Sequence, residues 1–113
     1  MIVVNRWLPV RGFSAINLFG IIFVRKGVAI TPVLLRHEHI HTRQQRELLW
    51  LGFYLWYILE YLYNIIIYRN RWKAYRNIRF EREAYAHESD FYYLKKRRWY
   101  AFLNNNLNPH TPQ

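Results

Sequence analysis

The sequence predicts an α+β fold that is mostly α, with a short N-terminal β-hairpin packed against a bundle of three to four helices. Three observations support this prediction. A run of branched and aromatic residues near the N-terminus is typical of a strand, a threonine–proline pair marks a helix start, and long apolar stretches follow it. A chain of 113 residues is expected to form one domain, here residues 1–103, followed by a flexible, polar, proline-containing tail at residues 104–113.

The predicted hairpin follows a segment with little regular pattern. Residues 1–17 alternate apolar and polar side chains only weakly, so we expect a loop or an irregular edge strand there. Leu18 to Val24 (LFGIIFV) is predicted as the first strand of the hairpin and Val28 to Ile30 as the second. The residues 25–27 then form the connection, because Gly27 can adopt a positive φ.

The first helix has a clear start signal. Thr31 suits the N-cap position and Pro32 the first helical position. Ile30 and Leu35 occupy the positions of a hydrophobic staple around that cap. We expect this helix to continue to about Glu47.

A long apolar run follows the first helix. Leu48 to Leu59 contains 12 residues without a charge, and residues 61–68 continue the run after Glu60. The uninterrupted length favours a buried or interfacial helix over a membrane span, which needs about 20 residues. A break at Gly52, giving two packed helices, is favoured over one straight helix.

The last predicted helix is long and basic. We expect a turn near Tyr68 to Arg71 and a helix from about Trp72 to Arg98. Residues 95–98 (KKRR) place cations at its C-terminus, where the helix dipole favours them.

The sequence His37-Glu38-His39-Ile40-His41 reads H-E-x-x-H and lies inside the first helix. On a helix, His37 and His41 share one face and can bind one zinc ion, while Glu38 is placed to take a proton from a metal-bound water. His39 points to another face and is expected to be a bystander. The chain has no cysteine, so any further protein ligand must be histidine or carboxylate.

A catalytic zinc site needs a third protein ligand. The downstream candidates are Glu60, Glu81, Glu83, His87, Glu88, Asp90 and His110. Residues 81–85 read E-R-E-A-Y, and here the chain resembles the gluzincin metallopeptidases, in size especially the minigluzincins. In those families H-E-x-x-H is followed by E-x-x-A on a later helix. The resemblance implies that Glu81 is the third ligand, with Glu83 as a rival, and that small Ala84 lets two helices approach. It also implies that a strand between Leu18 and Ile30 receives the substrate backbone.

The chain departs from that pattern at Tyr85, where the family often has Asp or Asn. The carboxylate that would orient a ligand histidine is therefore missing at this position, and Glu88, one turn further on, could replace it. Tyr85 could instead donate a hydrogen bond to the oxyanion, as could Tyr75 or a nearby arginine. Glu60 either pairs with an arginine of residues 69–79 or supports a ligand histidine, and the first alternative is favoured.

The resemblance implies a zinc-dependent metallopeptidase that hydrolyses peptide or protein substrates, with Glu38 assisting a zinc-bound water. An alternative is a non-catalytic protein in which zinc staples two helices and a basic, aromatic surface binds a membrane or a protein partner. A third is a latent enzyme, with residues 104–113 in the cleft and His110 at the metal.

The charge is strongly unbalanced. Seventeen Lys and Arg residues face seven Asp and Glu residues, giving a net charge of +10. Such a balance favours anionic partners such as membranes, nucleic acids or acidic peptides. Nucleic acid is not expected because the chain has no recognisable nucleic-acid-binding motif.

The N-terminus lacks the features of a signal peptide, so we expect a cytoplasmic protein or one peripheral at the inner membrane face. The oligomeric state is left open.

Overall fold

The computed structural model describes residues 1–9 and 13–103. Within them, the strands are β1 (Ile2–Asn5), β2 (Ala15–Leu18) and β3 (Ile21–Arg25). The helices are α1 (Pro32–Glu47), α2 (Leu51–Tyr68), α3 (Arg71–Arg76), α4 (Arg79–His87) and α5 (Tyr93–Lys96), followed by a 3-10 turn at Ala101–Leu103. The predicted α+β, mostly α class is confirmed. The tail predicted at residues 104–113 lies outside the described residues, and the single-domain assignment stays a prediction.

The sheet has the order β1-β3-β2, with β3 in the centre. β2 and β3 form the antiparallel hairpin, and β1 adds a parallel edge strand in which Ile2 lies opposite Ile22. The edge strand agrees with one of the two alternatives for the N-terminal segment, although β2 also begins within residues 1–17.

The position predicted for the hairpin turn was wrong. The chain turns at Phe19-Gly20, where φ is 54° and 85°, so LFGIIFV contains the end of β2, the turn and most of β3. Positive φ at both residues is the backbone of a two-residue hairpin turn, and glycine adopts it without steric cost. The unusual conformation of Phe19 is stabilised from outside the strand, because its N–H donates to the Tyr54 hydroxyl at 2.8 Å. Val28 to Ile30 is not a strand.

The helix α1 begins where the sequence predicted. The Thr31 hydroxyl accepts a hydrogen bond from the Leu34 N–H at 3.1 Å, and Pro32 is the first helical residue. The predicted break into two packed helices is also present, but it lies at Leu49 and Trp50, whose φ values are 55° and 63°, and not at Gly52. No single helix among the described residues is long and apolar enough to cross a membrane, whereas α1 and α2 meet those criteria only as a pair bent by 110°.

The prediction of one helix from 72 to 98 was wrong, although the turn before it is confirmed. The segment forms α3, α4 and α5. Asn77 ends α3, and the first N–H of α4, that of Arg79, donates to the Glu60 carboxylate at 3.0 Å. Glu60 on α2 thus caps a helix that is distant in sequence, which local sequence could not reveal.

Two buried clusters hold α1, α2 and α4 together. One contains Phe53, Ile78, Phe80 and Phe102, and the other contains Ile40, Ala84 and Tyr93. Ile40 and Ala84 are fully buried, so α1 and α4 approach closely at the small alanine side chain. This packing places the H-E-x-x-H residues of α1 directly against the E-x-x-A residues of α4.

Candidate metal centre

His37 and His41 on α1 and Glu81 on α4 meet in the interior of the protein. Their ligand atoms all lie within 4.8 Å of one another, and the three residues are only 6%, 5% and 4% exposed. The Nε2 atoms of the two histidines are 3.2 Å apart, and each lies 3.2 Å from Oε1 of Glu81. His41 Nε2 is also 3.1 Å from Oε2 of Glu81.

The opposite nitrogen of each ring is fixed by an outer partner. His37 Nδ1 lies 2.8 Å from the Glu88 carboxylate, and His41 Nδ1 lies 2.7 Å from Oε1 of Gln44. Gln44 uses its Nε2 to donate to the Phe80 carbonyl at 3.0 Å and to a Glu83 carboxylate oxygen at 2.9 Å. Its Oε1 must therefore accept the hydrogen bond from His41.

These outer bonds determine the chemistry at the centre of the cluster. Because each Nδ1 donates its hydrogen, the Nε2 of each neutral imidazole presents a lone pair toward Glu81. Two lone pairs and a carboxylate converge in a buried space, and only positive charge between them makes that arrangement favourable. The group formed by His37, His41 and Glu81 can therefore hold a metal ion.

The acid–base properties of the cluster show the same preference for positive charge. Burial lowers the pKa of His37, but hydrogen bonds to Glu81 and Glu88 outweigh it and raise the pKa to about 10. Burial also lowers the pKa of His41, but the negative charge of Glu81 outweighs this effect, and the pKa is raised overall. For Glu81, burial raises the pKa, but the charge of His41 and hydrogen bonds from both histidines bring it below its usual range. The cluster therefore stabilises positive charge on its histidines.

Glu38 lies beside the cluster with its carboxylate uncommitted. The residue is 4% exposed, and its backbone carbonyl accepts a hydrogen bond from the Asn17 side chain at 2.7 Å. Its carboxylate makes no hydrogen bond to any residue that the structure describes. Burial raises the pKa of this carboxyl, and the charges of His41 and His37 oppose part of the rise. Glu38 is therefore close to both histidines and able to accept a proton.

The rival ligand Glu83 does not join the cluster. Its carboxylate is fully buried and accepts hydrogen bonds from Tyr93 Oη at 2.7 Å and from Arg97 Nε at 2.6 Å. Two residues along a helix lie on different faces, which separates Glu83 from Glu81. Arg97 also forms two bonds with Glu47, at 2.8 and 3.0 Å.

The other candidate residues have distinct surroundings. Glu88, which the sequence suggested as a replacement for the carboxylate missing at position 85, lies 2.8 Å from Nδ1 of His37. Glu60 contacts Trp56 Nε1 and the Arg79 N–H, and it supports neither ligand histidine. His39 is exposed, and His87 is half-buried with its ring stacked on Tyr93. His110 lies outside the described residues.

Tyr85 packs against the cluster but does not replace the carboxylate expected at that position. Its ring meets that of His37 edge-on at 4.5 Å between centroids. Its hydroxyl shares a hydrogen bond of 2.9 Å with the Tyr75 hydroxyl, and the Arg76 guanidinium lies 3.7 Å from the centre of its ring. The three candidates for stabilising an oxyanion are thus adjacent to one another.

Sequence reasoning missed two residues of the centre. Gln44 follows His41 by three positions on the same helix face, so its spacing was a usable signal. Tyr57 donates its hydroxyl to the second oxygen of Glu81 at 2.8 Å. Tyr57 reaches the cluster only because α2 folds back after the 110° bend, and its position in an aromatic run gave no signal.

Comparisons of the chain with family models, with curated proteins and with solved structures found no match.

Proposed function

We propose that this protein is a zinc-dependent metallopeptidase of gluzincin type, in which His37, His41 and Glu81 hold the ion. The convergence of two Nε2 lone pairs and a carboxylate at 3.1–3.2 Å carries this proposal. A tetrahedral zinc ion with bonds of about 2.0–2.1 Å separates its ligand atoms by about 3.3 Å, which fits these distances. Two histidines and one glutamate are also a donor set used by catalytic zinc sites.

A bound zinc ion would polarise a substrate carbonyl and make a nearby water molecule more acidic. The proposed role of Glu38 is to accept a proton from that water, since its carboxylate has no hydrogen-bond partner among the described residues. Glu88 and Gln44 hold the two imidazole rings in place, and Tyr57 holds Glu81.

Tyr85 is the proposed donor to the carbonyl oxygen as negative charge develops there. Its ring contacts His37, and Tyr75 fixes the direction of its hydroxyl. Burial raises the pKa of the Tyr85 hydroxyl to about 12, with the Tyr75 hydrogen bond opposing this, so the group keeps its proton and can donate.

The substrate backbone is proposed to pair with β2, a different strand from the one expected between residues 18 and 30. β2 is an edge of the sheet and is tied to α1, because Asn17 donates to the Glu38 carbonyl. Gln45 already occupies the Asn17 carbonyl at 2.9 Å, so pairing would use the part of β2 around Ala15.

A second candidate function is a structural metal site that joins α1 to α4 without catalysis. The low exposure of His37, His41 and Glu81 favours it, since structural sites are closed to solvent. Latency through residues 104–113 stays a prediction beside both candidates.

The substitution Glu38→Gln distinguishes the two functions. For an enzyme, the variant should keep zinc and fold but lose at least about 100-fold in the cleavage rate of a peptide mixture followed by mass spectrometry. Glu60→Gln is the matched control, since Glu60 is a half-buried carboxylate outside the cluster, and it should cleave like the wild type. Equal turnover by wild type and Glu38→Gln would contradict the assigned role. Full zinc occupancy without any turnover would favour the structural site.

A further inference from the structure

The helix α2 carries an apolar face that no other part of the described chain covers. Its members are 52–73% exposed and recur at helical spacing, so they form one stripe along the helix. We call this face the α2 stripe, and it consists of Leu51, Leu55, Ile58, Leu59, Leu62 and Ile66. The opposite face of α2 carries Phe53, Tyr57 and Asn64, which pack against the core and the candidate metal centre.

The described surface of the protein is predominantly cationic. All seven carboxylate residues lie within the described residues, and six of them are buried or half-buried: Glu38, Glu47, Glu60, Glu81, Glu83 and Glu88. The seventh, Asp90, lies at the surface, where it pairs with Lys96 at 2.8 Å. Ten basic residues of the described part of the chain are exposed, namely Arg6, Lys26, Arg43, Arg46, Arg69, Arg71, Lys73, Lys95, Lys96 and Arg98. The described surface therefore carries a large excess of positive charge.

Basic residues lie at both ends of the α2 stripe. Arg46 lies in the last turn of α1, just before the bend, and Arg69 and Arg71 follow the end of α2 directly. Amphipathic aromatic residues accompany the same helix end, where Tyr68 and Trp72 are 43% and 54% exposed. Tyrosine and tryptophan prefer the boundary between apolar and aqueous phases.

We infer that α2 lies in the plane of an anionic lipid bilayer surface, with its stripe in the boundary between headgroups and acyl chains. The flanking arginines then face lipid phosphates. A second copy of the chain is a poorer occupant, because two surfaces of charge +10 repel each other. Nucleic acid would match the charge but leave six apolar side chains in water.

The orientation has a consequence for the metal centre. Tyr57 and the stripe lie on opposite faces of α2, and Tyr57 contacts Glu81. Docking through the stripe therefore leaves His37, His41 and Glu81 on the aqueous side of the helix. The inference does not depend on the proposed peptidase activity, since it rests on exposed side chains and charge alone.

Vesicle sedimentation tests the inference with the full chain. Vesicles of phosphatidylcholine alone are compared with vesicles that contain about one-third phosphatidylglycerol, at about 0.1 M and about 0.5 M NaCl. The double variant Leu55→Gln/Leu62→Gln removes apolar surface without changing charge, and both side chains are exposed, so the fold should persist. The matched control is Trp7→Gln/Phe91→Gln, at positions 79% and 72% exposed outside α2.

We expect the wild type to bind anionic vesicles, to bind less at high salt, and to be released by alkaline carbonate. Leu55→Gln/Leu62→Gln should lower the partition coefficient roughly tenfold or more, and the control should leave it within about twofold. Equal binding by Leu55→Gln/Leu62→Gln and the wild type, or an equal loss in the control, would overturn the assignment. Concentration-dependent dimers that the stripe variant abolishes, without vesicle binding, would assign the stripe to a second copy. Binding that resists carbonate would indicate insertion across the bilayer.

Discussion

Nδ1 of His41 lies 2.7 Å from Oε1 of Gln44, and this contact directs the Nε2 of His41 at Glu81. The contact begins a chain of hydrogen bonds that leaves the cluster. Gln44 donates to Glu83, and Glu83 accepts from Arg97, which also binds Glu47. The conformation of a ligand ring is thus fixed by side chains from two other helical segments.

Gln44→Ala should weaken zinc binding by about 10- to 100-fold, because His41 loses the partner that sets its ring orientation and tautomer. The dissociation constant can be measured by competition with a chromophoric chelator. Gln45→Ala is the control, because Gln45 is equally buried but donates to the Asn17 carbonyl and touches no ligand. A similar loss of affinity in both variants would show that general destabilisation, and not the His41 contact, is the cause.

Zinc binding should release at least one proton near neutral pH. The pKa of His37 is raised to about 10, so this imidazole carries an extra proton near neutral pH in the metal-free protein, and a metal must displace that proton. The charge of Glu81 also raises the pKa of His41, although burial opposes it. Glu81 is already ionised and contributes none. Zinc affinity should therefore increase with pH up to about 10, after which His37 no longer competes. Calorimetry in two buffers of different ionisation enthalpy measures the release, and identical heats would contradict it.

Arg97→Leu should lower the free energy of unfolding by about 3–5 kcal/mol, because it leaves the carboxylates of Glu83 and Glu47 buried without a cation. Urea unfolding followed by circular dichroism gives the value. The exposed neighbour Arg98 supplies the control, and Arg98→Leu should stay within about 0.5 kcal/mol of wild type. Equal stability of Arg97→Leu and wild type would mean that the carboxylates do not depend on Arg97.

Tyr85→Phe should leave zinc affinity unchanged and reduce kcat by about 100-fold, if the hydroxyl donates to the developing oxyanion as proposed. Tyr75→Phe removes only the partner of that hydroxyl, so it should reduce kcat less, with little change in KM. The exposed Tyr63 offers a matched control through Tyr63→Phe. Wild-type kcat in Tyr85→Phe would exclude Tyr85 as the donor.

The sequence predicted the metal cluster better than the elements that carry it. The spacing of H-E-x-x-H places two histidines on one helix face, and the capped start at Thr31 confirmed where that helix begins. The choice between Glu81 and Glu83 followed from the family pattern, and the structure separates them by helix geometry.

Tertiary contacts explain what the sequence could not provide. Phe19 turns the hairpin in a conformation that Tyr54 stabilises, and no local pattern identifies that turn. The helix α4 begins at a boundary set by Glu60 of α2, which accepts the first N–H of α4. Because the local sequence contains no sign of this boundary, it predicted a continuous helix. The sequence also could not predict the exposed stripe of α2, because an apolar run does not show which of its faces the rest of the protein covers.

The metal content of the purified protein tests the central claim most directly. After loading and desalting, elemental analysis should find about one zinc ion per chain in the wild type and in His39→Ala, whose imidazole is exposed and points away from the cluster. His37→Ala and Glu81→Ala should each lose most of that zinc while circular dichroism still reports a helical fold. A wild type without stoichiometric zinc, or zinc retained in both of these ligand variants, would contradict the assignment of His37, His41 and Glu81 as the metal centre.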